Sequence, residues 1–196
     1  MPNTKNILIV IGLIGAVIFI YNFWSADLVL GDGNVTVSAT ITTSVTCSAS
    51  TSTTDFATLT TSVITTSTPD VTLSMSCNYA IGCTLSVKDV GDFGSNPCLH
   101  STTSGDVIGS INTTLVAGIE GYGIQATSTT LTINPIYNKT GNDVGGLTIG
   151  GVNVSSSTAP IASETTVIKH KAAISGTTKA ATDYSDILTY SCLGNT

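Results

Sequence analysis

The sequence predicts an all-β domain, arranged as a β-sandwich, behind an N-terminal transmembrane helix. An uncharged apolar run extends from Ile7 to Trp24. Beyond it, short segments in which apolar residues alternate with Ser or Thr are separated by Gly, Asn, Pro and Asp. Alternation with a period of two is the pattern of a half-buried strand, and about seven to nine such segments between turn residues are typical of a sandwich.

The run from Ile7 to Trp24 has the length of a membrane span. As a helix it reaches about 27 Å, close to the roughly 30 Å hydrocarbon core of a bilayer. Only Lys5 and the amino terminus precede it, whereas Asp27 and Asp32 follow. Because positive charge favours the cytoplasmic side, we expect residues 1–6 in the cytoplasm, the membrane as the partner of residues 7–24, and the rest of the chain outside.

A cleaved secretory signal is the alternative for the same segment, since Ile7 to Ile20 would also serve as its hydrophobic region. Cleavage requires small residues at the first and third positions before the cut. A cut after Ala26 places Trp24 at the third position, and a cut after Ser25 places Phe23 there. The pattern therefore favours a retained anchor, and both alternatives place the chain beyond the linker 25–33 at the cell surface or outside the cell.

Composition excludes several partners. The chain of 196 residues carries only 6 Lys and Arg, 9% charged residues and a net charge of −6. Nucleic-acid and anionic-lipid surfaces both need clustered positive charge, so neither is a predicted partner. The 5 cysteines of an exported chain predict disulfides.

Residues 34–46 form the first predicted strand. Val35, Val37, Ala39, Ile41 and Val45 alternate with Ser and Thr and follow the turn cluster Gly31 to Asn34. Such a strand has one apolar face that must be buried, either in its own domain or in a neighbouring one.

The domain 47–196 contains further alternating segments. Val71 to Cys77, which follows Pro69, is predicted as the central strand, and Cys83 to Val87 as its neighbour. Thr166 to Ile174 is predicted as an edge strand guarded by lysines. Further strands are predicted around Tyr122 to Ala126, Leu131 to Ile133 and Tyr184 to Cys192.

No catalytic or metal motif stands out. The chain has no C-x-x-C and no G-x-S-x-G motif, and His100 and His170 are not spaced like metal ligands. Between two lysines, His170 is predicted to be solvated, and Asp183 and Asp186 are predicted as turn residues. We therefore predict no enzyme activity, no cofactor and no metal. Only a few aromatic residues are available as a glycan platform, namely Tyr79, Phe93, Tyr122 and Tyr137.

Several features in order resemble the spore coat protein U family, the secreted domain of Csu-type fimbrial subunits. They are the alternating strand, Cys47, Asp55-Phe56, Pro69, the strand ending in Cys77, and Asp183-Tyr184-Ser185-Asp186 before a last strand. The resemblance covers Asn34 to Cys192, and its ends match better than its middle. It implies an incomplete immunoglobulin-like sandwich that is completed by a strand donated from the next subunit.

The resemblance assigns residues 34–46 as the donated strand, with Val35, Val37, Ala39, Ile41 and Val45 as its exchange face. It also implies a disulfide between Cys47 and Cys77. Cys83, Cys98 and Cys192 depart from the pattern, and Cys83 is left to pair with Cys192 or with Cys98. The function implied is that of a pilin-like structural or adhesive subunit that self-associates. The alternative is a monomeric, membrane-tethered surface domain that binds glycan or protein.

Overall fold

The computed structural model describes residues 36–90 and 96–196. The chain divides into two units, Met1–Ile41 and Thr42–Thr196. In the first unit, residues 36–41 form no strand, and the side chains of Val37 and Ile41 are 88% and 84% exposed. Among the described residues no helix has the length and apolarity to cross a membrane, and the predicted span from Ile7 to Trp24 lies outside them.

The second unit is all-β in its described part, as the sequence predicted. Its strands are β1 (Val45–Ala49), β2 (Thr65–Thr66), β3 (Val71–Cys77), β4 (Cys83–Asp89), β5 (Cys98–His100), β6 (Val107–Gly109), β7 (Gly121–Thr127), β8 (Thr132–Ile133), β9 (Val152–Ser156), β10 (Ile161–Ala173) and β11 (Leu188–Gly194).

The strands form three antiparallel sheets. In the five-stranded first sheet, β3 lies between β1 and β10, and β10 also pairs with β2 and β7. The four-stranded second sheet has the order β11-β4-β9-β8. Strands β5 and β6 form a separate pair. The predicted central position of Val71 to Cys77 is therefore confirmed, because β3 has a partner on each side.

The main apolar core contains buried residues from both of the larger sheets. Every second residue of β3, including Leu73 and Met75, is buried, and so is every second residue of β4, including Leu85 and Val87. These side chains belong to one apolar cluster with residues of the other strands. Fully burying one such side chain contributes about 1.5 to 3 kcal/mol, so this alternation is the main source of stability that the sequence encodes.

The prediction of an edge strand from Thr166 to Ile174 is wrong. This segment belongs to β10, the longest described strand, which pairs with β3 and β2 on one side and with β7 on the other. Its lysines have local partners: Lys169 Nζ lies 3.7 Å from Asp70 Oδ2, and Lys171 Nζ donates to the Gly141 carbonyl at 2.8 Å. Between them His170 points to the opposite face and is only 4% exposed, so the prediction that it is solvated is also wrong.

The alternating segment before β1 is not a strand in the single chain. Strand β1 begins at Val45, and residues 36–44 pair with no described strand, although the backbone groups of Thr42 and Ser44 form hydrogen bonds with Asn78. Extended backbone without a neighbouring strand gains no ladder hydrogen bonds, so a period of two alone does not create a strand. The assignment of residues 34–46 as a donated strand concerns a second chain and stays a prediction.

The disulfides differ from the predicted pairs. Cys47 bonds to Cys192, and Cys77 bonds to Cys83. In the register of β1 and β3, Cys47 lies opposite Met75, whereas Cys77 lies opposite Val45. Cys47 and Cys77 are therefore diagonal neighbours, too far apart for a disulfide, and the pair implied by the resemblance is wrong.

The two alternatives considered for Cys83 are also wrong. In the register of β4 and β11, Cys83 lies opposite Gly194, and Cys192 lies opposite Leu85. The same diagonal offset thus separates Cys83 from Cys192. Cys98 is buried in β5 and is part of neither disulfide.

Candidate binding cleft

The two larger sheets are joined at one edge by the Cys47–Cys192 disulfide, which links the terminal strands β1 and β11. We call the region where these two strands meet the seam. The register places Cys47 and Ala49 on the same face as the buried Met75 and Leu73, yet both are exposed. On the other side of the seam Tyr190 is only half-buried. The core is therefore less well covered at the seam than between β3 and β4.

A cleft opens beside the seam. It consists of two cavities of about 880 Å³ and about 680 Å³ that share Asp55, Phe56, Leu99 and Tyr184 as lining residues. The larger cavity continues along the segments 57–61 and 174–182, and the smaller one along the segments 49–54 and 185–190. Each volume lies in the range of small-molecule sites.

The loop that carries Phe56 is held firmly in place. Asp55 and Thr68 exchange backbone hydrogen bonds of 3.0 and 2.8 Å, and the Asp55 carboxylate accepts from the Ala57 amide at 2.9 Å. The Phe56 ring meets the buried Tyr122 ring edge-on, with 6.2 Å between the ring centroids. This geometry is favourable for aromatic pairs, so the chain positions Phe56 between the two cavities before any ligand arrives.

Tyr184, the second aromatic residue common to both cavities, is fixed through its hydroxyl. The hydroxyl oxygen lies 2.8 Å from the Lys179 carbonyl and 3.0 Å from Asp106 Oδ2. The backbone amide of Lys179 and the Tyr184 hydroxyl both donate to Asp106 and lower the pKa of its carboxyl group. Asp106 therefore stays ionised and anchors both residues.

Asp183 anchors the neighbouring loop. Its carboxylate accepts hydrogen bonds from the hydroxyls of Ser101, Thr102 and Thr103 and from the Thr103 amide, at 2.6 to 2.9 Å. The Ser101 and Thr102 hydroxyls are the main reasons why the pKa of Asp183 lies well below its usual value. The sequence indicated only a turn residue here; the observed role is a cross-link between segments far apart in the chain.

We expect Asp183→Asn to lower the melting temperature, because an amide cannot accept all four hydrogen bonds. The pKa of Asp183 is lowered from 3.8 on folding, so its contribution is complete above pH 3.8 and is lost as the pH falls further. Thermal melts of both proteins from neutral pH to pH 2 measure this difference. The two curves should approach each other toward the acidic end, and a constant offset would contradict the assigned role of the carboxylate.

A buried polar cluster lies below the smaller cavity. His170 Nε2 is 3.3 Å from the Tyr190 hydroxyl, and Nδ1 has no hydrogen-bond partner among the described residues. Burial lowers the pKa of His170 to about 4, so the ring is neutral at pH 7. Burial and the Asp186 carboxylate raise the pKa values of Tyr122 and Tyr190 above their usual range. The cluster thus consists of a neutral imidazole and two protonated phenols.

His170 and Asp183 are not arranged as members of a Ser-His-Asp triad. The partner of His170 is a tyrosine rather than a serine, and Asp183 is engaged by the loop from Ser101 to Thr103. Within residues 36–90 and 96–196, no group of three His, Cys, Asp or Glu side chains is placed to hold a metal ion.

Most of the candidate site residues identified from the sequence do not come together in the structure. Val37 and Ile41 are exposed and Val45 is half-buried, whereas Val35 lies outside the described residues. Among the aromatic candidates for a glycan platform, Tyr122 and Tyr137 are buried, so neither can contribute to an exposed platform. Phe93 lies outside the described residues, and Tyr79 packs beside Gly194, away from the cleft.

Sequence reasoning missed Phe56 and Tyr184 as the two aromatic residues that line both cavities. They are separated by more than a hundred positions, and periodicity gives no information about such a pairing. The available signal was local, since each aromatic ring stands next to Asp in a stretch rich in Ser and Thr. No protein-family model, curated protein or solved structure matches this chain.

Proposed function

We propose that this chain is an exported structural or adhesive protein of the cell surface, a pilin-like subunit that assembles by strand complementation. In this proposal the two sheets form an immunoglobulin-like sandwich. Residues 7–24 hold the chain in a membrane with the N-terminus inside, or are removed on secretion. The segment 34–46 of one subunit then adds to the sheet of the next.

The exposed edge of β1 is the observation that carries this proposal. Among the described strands β1 is terminal in the first sheet and pairs only with β3, and its residues from Thr46 to Ala49 are exposed. A terminal strand presents unpaired backbone groups, which are a template for pairing with another chain. Main-chain hydrogen bonds would give such a complex its affinity, and alternating side chains would fix its register.

The segment before β1 has the pattern of a donated strand. Val37, Ala39 and Ile41 share one face, and the exposure of Val37 and Ile41 leaves both side chains available to a second chain. Their apolar surface would cover Cys47, an exposed core-facing residue of β1 that lines neither cavity. Each chain therefore carries both an exposed apolar segment that can be donated and a sheet edge at β1 that can receive it.

The disulfide limits where a donated strand can add. The Cα atoms of Cys47 and Cys192 are 5.9 Å apart, whereas neighbouring strands are already separated by about 4.8 Å. At this point no strand fits between β1 and β11. We therefore propose that the donated strand extends the first sheet outward from β1.

Replacing both Val37 and Ile41 by Thr should abolish self-association. Threonine keeps the β-branched shape but removes the apolar surface that the donated strand would bury. Sedimentation velocity of the full chain in detergent, without reductant, measures the assembly state. Ser38→Ala with Thr40→Ala is the matched control, because these residues lie on the opposite face of the segment and their replacement should leave assembly intact. A wild-type chain that stays monomeric at high concentration would contradict the proposal.

A further inference from the structure

The cleft has the chemistry of a binding site that strand complementation does not use. Its smaller cavity is lined by hydroxyl side chains from two segments, namely Thr51, Ser52, Thr53, Thr54, Ser185 and Thr189. The Thr51 and Thr54 hydroxyls already donate to backbone carbonyls and are left to accept from a ligand. A hydroxyl group both donates and accepts hydrogen bonds, so such a lining matches a ligand that also carries many hydroxyls.

The charges of the lining exclude other ligand classes. Among residues 36–90 and 96–196, Lys179 is the one basic side chain besides the buried His170 that lines either cavity, and Asp55 and Asp186 contribute carboxylates. Lys179 is engaged in turn, because its Nζ lies 3.3 Å from the Ser104 carbonyl. Phosphorylated and sulfated ligands need several cationic donors, which this cleft does not provide.

The aromatic side chains give the cleft its second property. Phe56 and Tyr184 are half-buried and line both cavities, and both are held by the contacts described above. The C–H face of a sugar ring packs against such rings, while its hydroxyls remain free for polar partners. Because the loops are already fixed, binding would cost little conformational entropy.

We propose that the cleft binds a neutral oligosaccharide, with sugar rings on both sides of Phe56 and Tyr184 and their hydroxyls bound by the Ser and Thr side chains of the smaller cavity. Two adjoining cavities suit a chain of several sugar units better than a single one. The site would give the surface protein an adhesive function that does not depend on subunit assembly.

The test is isothermal titration calorimetry of the full chain, purified in a detergent without a sugar headgroup. The probes are maltohexaose, cellohexaose, chitohexaose and mannohexaose. Binding of at least one probe is expected, and silence with all four would overturn the proposal. Ser52→Trp fills the smaller cavity and should weaken binding at least tenfold. Ser48→Trp, on exposed β1 outside the cleft, is the matched control and should bind like the wild type.

Two further measurements separate this proposal from its alternatives. Phe56→Leu keeps an apolar side chain but removes the ring, and should weaken binding about tenfold. The Val37→Thr and Ile41→Thr double variant should bind sugar like the wild type, so that a failure of strand exchange leaves this site unaffected. Unchanged binding by Ser52→Trp, or displacement of the sugar by a peptide of residues 34–46, would overturn the proposal.

Discussion

Replacing both Cys47 and Cys192 by Ala should lower the unfolding free energy by about 5 kcal/mol. This disulfide joins residues 145 positions apart, so it closes a loop that spans most of the second unit. In the chain-entropy treatment, a long loop removes many conformations of the unfolded chain, and opening it restores them. Most small domains have only about 5 to 15 kcal/mol of stability in total, so this variant should be partly unfolded at 37 °C.

The Cys77–Cys83 disulfide provides the internal control. Its residues are only 6 positions apart, and a loop this short contributes about 2 kcal/mol in the same treatment. Guanidinium chloride titrations measure the unfolding free energies. Dynamic light scattering in concentrated denaturant measures the size of the unfolded chain, which should increase when Cys47 and Cys192 are replaced and change little when Cys77 and Cys83 are replaced. Equal expansion of the two variants would contradict the assigned connectivity.

The two disulfides also differ in their access to solvent. Cys47 is exposed, whereas Cys77 and Cys83 are buried in the core. A thiolate or phosphine reductant must reach a sulfur atom in order to attack it. The bond at the seam should therefore be reduced first under native conditions, and differential alkylation followed by mass spectrometry would show the order.

Strands were predicted correctly where apolar and polar residues alternate and one face of the strand lies on the core. Strands β3 and β4 were recognisable because apolar residues such as Leu73 and Leu85 alternate with Ser and Thr and are buried on one side. In a sheet with one face on the core and the other exposed to solvent, apolar and polar residues alternate along each strand, so the sequence shows this pattern directly. The same pattern from Val37 to Ile41 forms no strand in the single chain, because alternation shows which face is apolar but does not supply a neighbouring strand, and pairing with a second chain stays a prediction.

The position of a strand within its sheet was harder to predict. Lys169 and Lys171 suggested an edge, since lysine protects exposed edges. In the structure these side chains point away from the core, and β10 is paired on both sides. Charged residues on the outer face of an antiparallel sheet do not distinguish a central strand from a terminal one, so strand order was not accessible from this pattern.

The disulfide pairing and the cleft depend on register and on contacts between distant segments. Both disulfides join strands of different sheets, so the alternation within single strands gives no information about which cysteines meet. Phe56, Asp183 and Tyr184 likewise acquire their roles only when the loops meet. The oligosaccharide proposal therefore rests on the structure, whereas the strand-complementation proposal began with the sequence.

Lowering the pH from about 6.5 to about 4 should cost the wild type about 3 kcal/mol of unfolding free energy through His170 alone. Burial lowers the pKa of His170 from 6.5 to about 4 in the folded chain, and the smaller effect of Asp70 acts in the opposite direction. Between these pH values the unfolded chain binds a proton at His170 and the folded chain does not. Stability therefore rises with pH across this window, and the loss is complete below pH 4.

The contribution of His170 to the unfolding free energy is measured by denaturant titrations at closely spaced pH values. The wild type is compared with His170→Gln. The variant should have a lower stability at pH 7, because it loses the packing of the ring and its contact with Tyr190. It should lack the His170 part of the decline between pH 6.5 and 4, so the two curves approach each other on acidification.

His100→Gln removes the other histidine of the chain and serves as the matched control, which should keep the decline. Because the acid loss assigned to Asp183 lies below pH 3.8, the two effects occupy separate windows. A decline of equal size in His170→Gln would show that the imidazole is not the group that resists protonation.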